Sequence, residues 1–69
     1  MKISARNVLA AKVVSVTPGA VNSEVEVELA GGQRMVSVIT NAAATKLQLQ
    51  PGKPVYAIVK ASSVMLGID

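Results

Sequence analysis

The sequence predicts an all-β fold: a small five-stranded Greek-key barrel with one short helix between strands 3 and 4. Three observations lead there. Val, Ala, Leu and Ile supply nearly all of the 51% hydrophobic residues, and the β-branched ones come in short runs that suit strands. Residues 20–29 alternate strictly, with Glu24, Glu26 and Glu28 on one side and Val25, Val27 and Leu29 on the other, which is the period of a half-buried strand. Turn signals at Thr17-Pro18-Gly19, Ala30-Gly31-Gly32 and Leu49-Gln50-Pro51-Gly52 cut the chain into lengths too short for long helices.

Taken in order, residues 3–16 read as a first strand, ending in Lys12-Val13-Val14-Ser15-Val16. Residues 20–29 form the second strand, with a wet acidic face. Ala30-Gly31-Gly32 closes a hairpin onto residues 33–39. That third strand is apolar on both faces, with Met35 and Ile39 on one and Val36 and Val38 on the other. Thr40 is placed to N-cap a short helix from Asn41 to about Leu47. After the Pro51-Gly52 turn, residues 54–60 make a fourth strand, again apolar on both faces. Val55, Ala57 and Val59 oppose Tyr56 and Ile58, with Lys60 at the end. Val64-Met65-Leu66 is read as a short fifth strand. Five strands with a helical turn between the third and fourth correspond to a barrel of OB type.

Composition bounds what such a domain can do. A chain of 69 residues is expected to form one domain over 1–69, near the lower limit for folding alone. It has no Cys, His, Trp or Phe, and Tyr56 is its single aromatic residue. Disulfides and thiolate or imidazole metal sites are thereby excluded. Nucleophilic and acid–base catalysis are poorly supplied, because three of the four acids sit on one solvent-facing strand. The expectation is a protein that is no enzyme and holds no metal cation. OB-like barrels often bind single-stranded nucleic acid, but such sites stack bases on several aromatics in a basic groove. A single aromatic residue argues against nucleic acid, while the mild net charge of +3 suits a small anion as well as it suits nucleic acid. No segment reaches the roughly 18 apolar residues of a membrane span, so a soluble cytoplasmic protein is expected.

Small side chains give little burial per residue, and a domain this short needs additional buried surface. One barrel interior can take only half of the apolar positions. The second faces of residues 35–39 and 55–59 would form a large exposed patch on a monomer. A tight homo-oligomer is therefore expected.

Two stretches carry the candidate chemistry. Ser4-Ala5-Arg6-Asn7 offers a hydroxyl, a small residue, a guanidinium and an amide. Lys60-Ala61-Ser62-Ser63 offers a cation followed by hydroxyls. No carboxylate lies near either, so together they have the donor-only character of an anion pocket. The helix start after Thr40 adds to this. Asn41-Ala42-Ala43-Ala44 leaves the positive helix end without an acidic side chain, and its small residues allow close approach. Each piece taken singly also has an ordinary structural reading: Arg6 as a surface charge, Lys60 as a solvated strand end, Thr40 as a cap, Ala42–Ala44 as packing.

The joint pattern has a counterpart. Ile3-Ser4-Ala5-Arg6-Asn7, Lys12-Val13-Val14, Val25-x-Val27-x-Leu29-Ala30-Gly31-Gly32, Val38-Ile39-Thr40 and Val59-Lys60-Ala61-Ser62-x-Val64-Met65 resemble the Mop (TOBE-type) domain. Within that family the likeness is to the free-standing molbindins, or molybdenum-pterin-binding proteins. The resemblance covers essentially the whole chain. It implies an OB-like barrel assembled as a homohexamer, a trimer of dimers. The implied ligand is molybdate or tungstate, bound between subunits and stored or buffered in the cell, with no catalytic cofactor. By position it assigns Ser4, Ala5 and Arg6 from one subunit, and Thr40, Ala43, Lys60, Ala61 and Ser62 from another. Family members often carry Ser where this chain has Ala43, so one hydroxyl donor is missing. A second class of oxyanion site is placed at the Gly19-Ala20-Val21-Asn22 turn. Two further roles stay open beside storage: an OB-like nucleic-acid module and a ligand-sensing regulatory subunit.

Overall fold

The computed structural model describes residues 1–69. Four strands and one helix follow in the order β1 (Asn7–Pro18), β2 (Asn22–Leu29), β3 (Arg34–Thr40), α1 (Asn41–Lys46) and β4 (Pro54–Val59), ending in a 3₁₀ turn over Ala61–Ser63. The strands form one antiparallel sheet in the order β3-β2-β1-β4. Three consecutive strands with the fourth returning beside the first is the Greek-key connection, so this part of the expectation holds.

Local chemistry explains each boundary. β1 starts at Asn7 rather than residue 3 and runs through Thr17 and Pro18, where a turn was expected. Pro18 sits at the last register position, opposite Ser23, where a missing N–H interrupts no continuing ladder. The turn itself lies at Gly19–Val21. The Gly19 N–H donates to the Asn22 carbonyl at 2.7 Å, and a Cβ on Gly19 would stand 2.9 Å from that same oxygen. At the next hairpin Gly32 takes φ +87°, a value that favours glycine, and donates to the Leu29 carbonyl at 2.9 Å. Thr40 caps α1, accepting from the Ala43 N–H at 3.0 Å as the sequence predicts. The helix stops at Lys46, where Lys53 reaches back from the next loop to the Leu47 and Gln48 carbonyls.

Two expectations are corrected. There is no fifth strand: residues 64–66 lie outside any ladder, and Val64, Met65 and Leu66 are 49%, 91% and 96% exposed. Their β-branched and apolar character is not sufficient, because a strand exists only where a neighbouring strand accepts and donates its backbone hydrogen bonds. The 3₁₀ turn carries the tail out of line with β4. The sheet is also curled but open. β3 and β4 are both edges, and a cleft of about 340 Å³ runs over the concave face between them.

The core lies on that concave face. Val13, Val25 and Val27 are buried, with Ala11, Val16, Met35, Ile39, Leu49 and Val55 half-buried around them. The alternation in β2 is as read: Val25 and Val27 are inside and Glu24 is exposed. On the outer face Lys12 stands opposite Glu28, and Arg34 lies 3.4 Å from Glu26. Val36 and Val38 of β3 and Tyr56 and Ile58 of β4 are exposed, as expected for strands apolar on both sides. The chain exposes 5569 Å², whereas a compact monomer of this mass exposes about 4,100 Å².

Val13 pairs with Val27 of β2 and bonds through its backbone to Gly52 and Lys53 before β4, and it is among the most enclosed side chains, at 2% exposure. Val13→Ala is expected to lower the unfolding free energy by about 2 kcal/mol. Urea denaturation at fixed protein concentration measures it. A change below about 0.5 kcal/mol would place the core elsewhere.

Candidate functional site

The strand framework sorts the candidate donors into two groups. Asn7 pairs with Val59, so the start of β1 lies beside the end of β4. Residues 3–6 therefore meet residues 60–62 just beyond the sheet, although more than fifty positions separate them in sequence. Ser4, Ala5, Arg6, Lys60, Ala61 and Ser62 line one open cleft of about 620 Å³, with Ile3 and Ile58 as its apolar wall. Arg6 and Lys60 are exposed in the single chain, and Ala5 is half-buried.

The Lys60 backbone is extended (φ −61°, ψ 131°), and the 3₁₀ turn begins immediately after it. The Ser63 N–H donates to the Lys60 carbonyl at 2.8 Å and closes that turn. The N–H groups of Ala61 and Ser62 open the turn and have no partner inside it. The cleft thus gathers an ammonium, a guanidinium, two hydroxyls and turn-opening backbone donors. None of its lining residues is acidic. Such a set attracts an anion that only accepts hydrogen bonds. No group of three or more His, Cys, Asp or Glu side chains is positioned to hold a metal ion.

The amide of Asn7, the last of the three side-chain donors in its stretch, is used differently. Its Nδ2 donates to the Val59 carbonyl at 3.2 Å, and Asn7 does not line the cleft.

Thr40 and Ala43 stand apart from this group. Thr40 pairs with Asn22, at the far end of the sheet. β1, which spans the distance, has 12 residues and covers roughly 35 Å if straight. The helix start is less open than its sequence suggests. The Ala43 N–H is taken by Thr40 Oγ1 at 3.0 Å, and the Asn41 N–H by the Val21 carbonyl at 2.8 Å. Thr40 Oγ1 retains its own proton for donation.

The Gly19-Ala20-Val21-Asn22 turn lies at this same end. It turns carbonyls toward Asn41: Gly19 O accepts from Asn41 Nδ2 at 2.9 Å, and the Gly19 N–H is already engaged with Asn22. Sequence reasoning missed the side chain that organises this corner. Ser23, 2% exposed, donates to Asn41 Oδ1 at 2.6 Å. The signal available was a polar residue at an inward position of an alternating strand.

A Greek-key sheet with a donor-lined cationic cleft at one end defines a small β domain suited to binding an anion. The chain belongs to the TOBE domain family, which it matches over residues 3–66. It is 49% identical over 69 residues to a probable molybdenum-pterin-binding protein of Haemophilus influenzae, with all of both chains covered. Its fold is similar to that of MopII from Clostridium pasteurianum, with a TM-score of 0.91 and 39% identity, over 97% of this chain and 100% of that one. It is also similar to the cytoplasmic molybdate-binding protein ModG in a molybdate-bound structure. There the TM-score is 0.85 and the identity 44%, over 96% of this chain and 53% of that one.

The Thr40 hydroxyl makes the cap bond of α1. Thr40→Ala is expected to cost about 1 kcal/mol of stability. Thermal or urea unfolding monitors this loss, and an unchanged midpoint would show that the cap carries no weight in this short helix.

Proposed function

We propose that this chain binds molybdate, and tungstate equally, as an intracellular store or buffer, without catalysis or a catalytic cofactor. The observation that supports this most directly is the meeting of Ser4 and Arg6 with Lys60 and Ser62 at one acid-free cleft. The chain in which it occurs is similar to proteins named for binding molybdenum-pterin or molybdate. The cytoplasmic location proposed here rests on the likeness to ModG, which is described as cytoplasmic. No helix of this chain is long and apolar enough to cross a membrane.

In this reading Ser4, Arg6, Lys60 and the Ala5, Ala61 and Ser62 backbone or hydroxyl donors hold the oxyanion. Thr40 and Ala43, at the opposite end of the sheet, join the site from a neighbouring copy. The Gly19–Asn22 turn, at the Thr40 end, serves a second oxyanion site on assembly. The assembly proposed is a homohexamer, a trimer of dimers.

Three features support assembly. The exposed surface exceeds that of a compact monomer. Val36, Val38, Tyr56 and Ile58 leave apolar outer faces uncovered. The concave cleft between β3 and β4 is lined almost wholly by hydrophobic residues, while the apolar tail residues Met65, Leu66 and Ile68 are almost fully exposed. Assembly also serves the site, since cations exposed in one chain attract an anion far more strongly once a second chain excludes water.

Light scattering at micromolar concentration is expected to give a hexamer without ligand, and removal of residues 64–69 to shift it to smaller species. A full-length protein that stays monomeric would end both the assembly and the intersubunit site.

Arg6→Ala and Lys60→Ala are each expected to weaken molybdate binding by roughly 2–5 kcal/mol if assembly desolvates them, with assembly retained. Calorimetry at pH 7.5 measures this, and wild-type affinity in either variant makes that residue a surface charge. The same titrations with competitors test selectivity. Molybdate and tungstate should be nearly equal. Sulfate should be much weaker, because its shorter bonds leave donors of a rigid pocket unpaired at about 1–3 kcal/mol each. Phosphate should be negligible, because its proton needs an acceptor in a donor-rich pocket. Sulfate displacing molybdate at comparable concentration would make this a general anion site.

A further inference from the structure

We propose that Asn7 is a positioning residue of the cationic cleft, which sets the relative placement of Arg6 and Lys60 without contacting the anion. This assignment rests on the oxyanion reading above. Four observations carry it. Asn7 Nδ2 donates to the Val59 carbonyl at 3.2 Å, in a partly buried bond between residues 52 positions apart. That carbonyl belongs to the peptide joining Val59 to Lys60, so the bond constrains the direction in which Lys60 leaves β4. Asn7 itself follows Arg6 directly. Finally, Asn7–Val59 is the last register pair of the β1–β4 ladder.

Beyond that pair both segments leave the sheet, and no hydrogen bond joins residues 1–6 to residues 60–69. The Asn7 side chain is therefore the outermost hydrogen-bonded link between the segments that bring the two cations together. Without it only the backbone pairing of Asn7 with Val59 joins the two arms, and beyond that pair they fray independently. A frayed pair of cations loses affinity because their geometry must be reordered on binding, as when an orienting partner of a ligating group is removed. The amide is suited to this task. It is a donor of the reach needed to cross to the neighbouring strand, and it is neutral, so it adds no charge to the cleft.

The test compares wild type, Asn7→Ala, Lys60→Ala and the double variant for molybdate binding by calorimetry. Amide hydrogen exchange at residues 60–62 of the ligand-free protein is followed in parallel. Asn7→Ala is expected to weaken binding about 10- to 100-fold, with the assembly state unchanged. In the Lys60→Ala background the same change should cost no more than about twofold, because there is then no second cation to place against Arg6. Exchange at residues 60–62 should quicken at least about tenfold. A purely structural residue would instead give the same loss in both backgrounds, and that result overturns the proposal. Unchanged affinity or unchanged exchange in Asn7→Ala overturns it too. Asn7→Ser, whose hydroxyl is too short to reach the Val59 carbonyl, is measured alongside and should behave like Asn7→Ala. If neither variant folds, Asn7 serves general stability and the proposal falls. Should wild type itself bind no molybdate, the oxyanion reading fails. The exchange rates then judge the clamp on their own.

Discussion

The structure depends on the double pairing of β1. Its N-terminal half pairs with β4 and its C-terminal half with β2, and both partners are engaged at Ala11 and Lys12. Ala11 faces both Leu29 and Val55, and Lys12 both Glu28 and Pro54. At Val13 the N–H donates to the Lys53 carbonyl at 3.0 Å, and the carbonyl accepts from the Gly52 N–H at 2.8 Å. Immediately afterwards the β1–β2 register shifts between Val13 and Ser15. A bulge there bends the strand and increases its twist, which curls the sheet around Val13, Val25 and Val27. With one strand serving as the spine, everything at its start is held near the end of β4, and everything at its end near Thr40 and α1.

That geometry governs the chemistry. The donors of the cleft come from two segments that have no local reason to meet. They are brought together because the first position of β1 is opposite the last position of β4. The same ladder holds Thr40 away from them by the length of β1. One chain therefore presents two partial donor sets at opposite ends, and a site that uses both requires a second copy. Exposed ammonium and guanidinium groups in water interact weakly with an anion, and salt screens what attraction remains. Burial between copies changes this, since the donors then lose their competing water. In the assembly proposed above, the apolar faces of β3 and β4 are thereby linked to the affinity of the cleft, although they contribute no donor to it.

The opposite end of the molecule is built from neutral hydrogen bonds. Ser23, Asn41 and the Gly19 carbonyl form a chain of donors and acceptors, and no buried side-chain polar atom is left without a partner. This pins the start of α1 to the β1–β2 turn. The Val21 carbonyl and Thr40 Oγ1 take the Asn41 and Ala43 N–H groups that the sequence alone presents as free. The helix end is primarily a structural joint, with the Thr40 hydroxyl proton as what it can still offer outward.

The sequence by itself determined the class of fold, the period and inward face of β2, the two-faced character of β3 and β4, the cap at Thr40 and the donor stretches at each terminus. These are local properties: alternation, turn chemistry and residue type act over a few positions, and they are legible wherever the local preference agrees with the whole. Tertiary structure decided what depends on partners distant in the chain. Val64-Met65-Leu66 has strand composition, but no edge of its own chain pairs with it, so it is not a strand. Pro18 carries a turn signal, yet pairing with Ser23 keeps it in β1. Asn7 reads as one more donor for an anion, but register with Val59 directs its amide to the backbone. Ser23 looks like an interruption in an apolar face and is instead buried against Asn41. In each case the presence or absence of a pairing partner across the fold outweighed the local signal, because a backbone or amide group removed from water must find a partner wherever the topology supplies one.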